Sequence, residues 1–226
     1  MFSGKLLAFI SLLMVATISS YGQQKPNPKT LFYDSDGNTV QNNEFVDIRM
    51  ANPHYPDRTI VKTLEDGTVE FRLQKIPQEG MEAPSFSVRT IDGQTIDSAQ
   101  LRGKVVVLGF WFIGCHVCRA IKPDLNKLKA RFGDRDDIVF LAMTMDPKDE
   151  VEKYLKKEPF DYIQATDAKA AMSRFVFNGF PKNIVIDRNG KIVYWRTIIR
   201  AWDKFESVVR GELAKPGSSE DARQGR

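Results

Sequence analysis

The stretch Val105-Val106-Val107-Leu108-Gly109-Phe110-Trp111-Phe112-Ile113-Gly114-Cys115-His116-Val117-Cys118 decides the fold. Its first half is uncharged and apolar throughout, as in a strand buried on both faces of a sheet. Its second half leaves that strand through Ile113-Gly114, sets down two cysteines separated by two residues, and leads into a helical pattern over about 117–132. A thiol in the first turn of a helix faces unpaired backbone N–H groups and the positive end of the helix dipole, and both favour its thiolate. Lowering a thiol pKa from about 8.5 to about 6.5 raises the thiolate fraction at pH 7 from roughly 3% to roughly three quarters. Cys115, the N-terminal and more exposed member, is therefore the candidate nucleophile. Cys118, one turn on and more buried, is the candidate resolving thiol. His116 is either a tuning charge beside Cys115 when protonated or a solvent-facing spacer. Trp111 is a core aromatic or a wall of the active site.

Outward from the pair, strands and helices alternate. Strands are expected over 86–91, 105–112, 138–145 and about 162–164, with a hairpin of 183–187 and 192–196 turning on Asp187-Arg188-Asn189-Gly190. Helices are expected over about 117–132, 148–157, 168–174 and 202–213, and Asp92-Gly93 is a turn. This alternation predicts an α/β sandwich around a mostly buried mixed sheet. Residues 23–80 differ: they are polar and rich in turn residues, with one alternating strand at Thr68-Val69-Glu70-Phe71-Arg72-Leu73. They read as a β-rich or irregular extension without a core of its own, ahead of a domain over 81–213 and a frayed, disordered tail over 214–226.

The 226 residues, 42% hydrophobic and 27% charged with a net charge of +4, exclude a disordered, collagen-like or polytopic membrane chain. Basic residues are interspersed with acidic ones, so no nucleic-acid partner is expected. Residues 1–22 read as a signal peptide: Lys5, an apolar run over 6–18, then Ser20 and Gly22 ahead of a cleavage site before Gln23. The apolar run falls short of the roughly 20 residues that span a bilayer. Export with cleavage is expected, periplasmic where the cell has two membranes; the alternative is an uncleaved N-terminal anchor.

With the cysteine pair stand Pro123 five residues beyond Cys118 and Gly179-Phe180-Pro181 ahead of Asn183-Ile184-Val185-Ile186-Asp187. Together these resemble the thioredoxin superfamily. Met81-Glu82-Ala83-Pro84-Ser85-Phe86-Ser87, Asp92-Gly93 and Leu101-Arg102-Gly103-Lys104-Val105-Val106 resemble more narrowly its exported TlpA-like branch, related to the redoxin and AhpC/TSA proteins. The resemblance covers about 83–211. It implies a thioredoxin-like three-layer sandwich, a nucleophilic Cys115, a resolving Cys118 and a cis peptide before Pro181 facing the cysteines. It further implies that backbone at Phe180 pairs with a substrate peptide and that Pro123 kinks the first helix. The chain departs from the pattern at Gly109 and Ile121, where an acid is common, so proton transfer at Cys118 uses another group or water. Gly114 replaces the usual Trp and His116-Val117 the usual Gly-Pro, which leaves the potential and direction of electron flow open.

The resulting expectation is a thiol-disulfide oxidoreductase that needs no cofactor beyond a Cys115–Cys118 redox disulfide. It acts as a monomer on protein thiols and disulfides, with a membrane thiol carrier as electron partner by family analogy. Other readings compete. A structural bridge closing about four residues contributes only roughly 2 kcal/mol. A zinc site lacks ligands beyond His54, and haem attachment requires His where Arg119 stands. Two buried, inert cysteines are a further reading. A peroxidase of the AhpC/TSA group needs Pro and Thr where Leu108 and Phe112 stand, and a copper-binding module would call on His54.

Overall fold

The computed structural model describes residues 29–51 and 59–216, so the signal-peptide reading, His54 and most of the expected tail lie outside the described residues. In chain order the elements are β1 (Thr30–Tyr33), α1 (Asn42–Arg49), β2 (Ile60–Thr63), β3 (Val69–Arg72), β4 (Ser87–Arg89) and β5 (Thr95–Asp97). There follow β6 (Val105–Trp111), α2 (His116–Ala130), β7 (Ile138–Thr144), α3 (Lys148–Leu155) and β8 (Ile163–Ala165). The chain closes with α4 (Lys169–Ser173), β9 (Lys182–Ile186), β10 (Ile192–Arg196) and α5 (Trp202–Ala214).

The apolar run Val105–Trp111 is β6, and all of it is buried. It lies at the centre of a five-stranded sheet of order β10-β9-β6-β7-β8. β6, β7 and β8 run parallel, while β9 is antiparallel to β6 and to β10. Side chains alternate across a strand, so Val105, Val107 and Trp111 enter one core while Val106, Leu108 and Phe110 enter the other. Helices α2, α3 and α5 contribute to the first core through Leu125, Val151 and Phe205, and α4 closes the second through Ala171 and Met172. The result is the expected three-layer sandwich with helices on both faces. No helix among the described residues is long and apolar enough to cross a membrane.

The extension is more ordered than its composition indicates. β1 pairs with β3 in parallel and β2 with β3 antiparallel. Helix α1 packs Phe45 against Phe32 and Phe71, with ring centroids 4.5 and 5.7 Å away, and Val40 and Leu73 complete a small cluster. This corrects the expectation of an extension without a core. Two turns of Asn-Asn-Glu-Phe-Val-Asp-Ile-Arg are too short to show helical periodicity against a polar background. The helix is also fixed from outside: Asp47, 1% exposed, accepts hydrogen bonds from the Arg200 and Ala201 backbone N–H groups at 2.7 and 2.8 Å.

Candidate active site

β6 delivers the chain to the pair. Cys115 is the N-cap of α2, with extended backbone, and its Sγ accepts the Cys118 backbone N–H at 3.1 Å. The two are joined as a disulfide with their Cα atoms 5.3 Å apart. Cys115 is 7% and Cys118 2% exposed, the order expected of an outer and an inner sulfur. Once reduced, the outer sulfur would sit where an N-cap oxygen normally accepts a helix N–H, a position that stabilises negative charge.

The loop ahead of the pair is held from β7. Asp146 Oδ2 accepts the Ile113 backbone N–H and the Thr144 hydroxyl, both at 2.7 Å. Phe112 folds over Gly114, whose Cβ, were there one, would lie 3.1 Å from the ring. The Phe112 ring centre is 5.0 Å from that of Phe180, which is 5.1 Å from Phe177. The Phe180–Pro181 peptide is cis, and Pro181 borders the same small cavity as Cys118. The structure thus brings together Cys115, Cys118, Phe180 and Pro181. His116 is exposed on the first turn of α2, and Pro123 lies inside that helix.

Trp111 is a buried wall. Its Nε1–H donates to Gln164 Oε1 at 3.2 Å, and Gln164 is fixed in turn by the Phe160 and Tyr162 carbonyls. Facing it is a group absent from the sequence expectations. Lys122, one turn beyond Cys118 and 3% exposed, places Nζ 5.6 Å from the Trp111 ring centre and 4.1 Å from that of Tyr154. Its ammonium donates to Tyr154 Oη at 2.5 Å and to the Glu158 carboxylate at 3.3 Å, and Tyr154 Oη–H donates to that carboxylate at 2.9 Å. Arg119 also pairs with Glu158. The Arg119 bond, with those from Tyr154 and Lys122, outweighs desolvation and holds the Glu158 carboxyl down at about 2. Burial draws Lys122 below the usual lysine range while Glu158 pushes back. The signal for Lys122 was available: it interrupts the buried stripe of Cys118, Leu125 and Leu128 on α2. Among the described residues no cluster of three His, Cys, Asp or Glu could hold a metal ion.

The family model described as Redoxin matches residues 78–203. The thioredoxin-like protein YneN of Bacillus subtilis (strain 168) is 28% identical over 117 residues, 51% of this chain and 69% of that protein. The thiol-disulfide oxidoreductase ResA of Bacillus thuringiensis (strain Al Hakam) is 27% identical over 145 residues, 60% of this chain and 83% of its own length. Among solved structures, the thioredoxin domain of a thiol-disulfide oxidoreductase from Bacteroides vulgatus superposes with a TM-score of 0.52 at 26% identity, covering 59% of this chain and 97% of that one.

Proposed function

This chain belongs to the Redoxin family and is a thiol-disulfide oxidoreductase on a thioredoxin-like fold, and from that premise we propose that it works outside the cytoplasm on disulfides of other proteins through Cys115 and Cys118. The observation that carries this reading is the Cys115–Cys118 disulfide at the N-cap of α2, in a shared setting with the cis Phe180–Pro181 peptide. In the reducing direction, the Cys115 thiolate attacks a substrate disulfide, forms a mixed disulfide and expels one substrate thiolate. Cys118 loses its proton and attacks the Cys115 sulfur, closing the protein disulfide and releasing the second substrate sulfur as a thiolate, which takes up a proton. Two electrons pass from the protein dithiol to the substrate, and the reverse sequence makes the protein an oxidase.

Phe180 offers its backbone to the substrate chain beside the outer sulfur. Val117, Met145 and Val176, each at least 40% exposed, offer apolar side chains near Cys118, Asp146 and the Phe177–Phe180 segment along the sequence. The protein acts as a monomer with the disulfide as its redox group, and a membrane thiol carrier returns it to the dithiol when it serves as a reductase.

The test is to equilibrate the mature chain in thiol buffers of known poise and read alkylated fractions by mass. A midpoint near about −270 mV or below marks a reductase, and one near about −120 mV an oxidase. Failure of Cys115 and Cys118 to form a disulfide at any poise sinks the dithiol reading. Export is tested by the mass of the protein recovered outside the cytoplasm, where cleavage before Gln23 is expected.

A further inference from the structure

Cys118 and Pro181 border a cavity of about 10 Å³, the size of roughly one water molecule. Gly109, Trp111, Phe160, Asn183 and Lys122 border it as well, and among the described residues Lys122 is the only charged one in its wall. The resolving step requires Cys118, a residue only 2% exposed, to become a thiolate, and burial in apolar surroundings works against that. A cation one helical turn away is the counterweight.

We propose that Lys122, held by Tyr154 and Glu158, is the positioning charge that stabilises the Cys118 thiolate and so sets the pH at which the mixed disulfide resolves. The inference rests on the dithiol reading above. The other titratable groups packed around this site leave the assignment intact. Arg119 is spent on Glu158 at the surface side of α2, and its side chain is more than half exposed. The Glu158 carboxylate is ionised throughout the useful range, and Tyr154 is pushed up to about 12, mainly by burial and then by Glu158. From β8's approach comes Tyr162, whose ring would lie 4.0 Å from a Cβ at Gly109; its buried hydroxyl has no hydrogen-bond partner among the described residues, and burial keeps it a neutral phenol. Asn183 from β9 carries no charge. Among the described residues Lys122 is thus the one cation that shares the cavity with Cys118.

The decisive measurement is a thiolate-absorbance titration of Cys118 alone, in a Cys115→Ser background of the mature chain. Adding Lys122→Met should raise the Cys118 pKa by about one unit, a roughly tenfold loss of thiolate at a fixed pH below it. Lys122→Gln should do the same, so a folding defect in either variant leaves the comparison standing. Lys122→Arg should return most of the shift, because only charge is common to it and lysine. In the protein with both cysteines, Lys122→Met should move the resolving step to higher pH and leave the first attack by Cys115 unchanged. An unaltered Cys118 titration in both uncharged variants overturns the assignment, as does an arginine that restores nothing. These outcomes are separate from the dithiol reading, which fails only if the unsubstituted protein does not exchange disulfides.

Discussion

Two buried lysines sit on opposite sides of the central sheet, each over a tryptophan, and they are held in different ways. Lys122 lies over Trp111 with a carboxylate partner, Glu158, at 3.3 Å. Lys182, the first residue of β9 and next to the cis proline, lies 5.0 Å from the Trp195 ring centre and, among the described residues, has only neutral acceptors: the Ala51 carbonyl at 2.7 Å and the Thr197 hydroxyl at 2.8 Å. Desolvation, with repulsion from Arg196 as a lesser cause, draws the Lys182 pKa down to about 7. Burial acts on Lys122 in the same direction, but Glu158 opposes it. A buried cation with a carboxylate partner stays a charge that a neighbouring sulfur can use. One facing only a carbonyl and a hydroxyl becomes a proton-sensitive fastener, and what Lys182 fastens is Ala51, just past the end of α1 in the extension.

That fastening has a second, firmer point, and removing it should give the largest effect. Asp47 satisfies two backbone N–H groups ahead of α5, and Asp47→Ala leaves both without their acceptor in a buried place. At about 1–3 kcal/mol for each orphaned donor, the loss should be on the order of 3 kcal/mol, read by urea unfolding of the oxidised protein. A loss below about 1 kcal/mol would show that the extension does not unfold together with the sandwich, and the contrast between the two lysines would then lose its structural half.

The next effect is the pH dependence that Lys182 alone should impose. Its folded pKa, about 7, lies below the unfolded lysine value of about 10.4, so between these limits the unfolded chain holds more protons. Stability therefore rises with pH from about 7 towards 10 and is flat, on this account, below 7. From pH 7.0 to 8.5 the gain should be on the order of 2 kcal/mol, and Lys182→Met should abolish it. Unfolding curves of both proteins at the two pH values settle the matter; an equal slope in the variant would mean that another group carries it.

How far the sequence alone reaches follows the same division between local and distant partners. β6, the Cys115–Cys118 pair and α2 were legible because a strand buried on both faces, a Cys-x-x-Cys spacing and a helical stripe are contiguous patterns. The hairpin of β9 and β10 was legible from its Asp187–Gly190 turn, while β5 escaped notice as a three-residue strand. The cis Phe180–Pro181 peptide came from family resemblance, since spacing alone does not favour it. Helix α1 was hidden because its burial depends on β1, β3 and the Arg200–Ala201 backbone. Lys122 was visible only as a flaw in an apolar stripe; Tyr154 and Glu158, which make sense of it, lie 32 and 36 residues away along the chain. Trp111 likewise finds its hydrogen-bond partner 53 residues on, at Gln164, which no local pattern announces.

The smallest expected effect is the most telling for the comparison. Lys122→Met should change the unfolding free energy by less than about 1 kcal/mol, because exchanging a buried ion-pair member for an apolar side chain of similar length recovers its desolvation while losing its pairing. Glu158 is not stranded by the change: it keeps Arg119 and Tyr154 and remains partly open to water. The same variant should retain the rise in stability between pH 7.0 and 8.5, since that slope belongs to Lys182. A stability loss of several kcal/mol, read by the same urea curves, would make Lys122 a packing residue whose charge is incidental. Near-neutral stability together with a displaced Cys118 titration would instead separate the two lysines by role, one acting on the redox sulfur and the other on the junction with the extension.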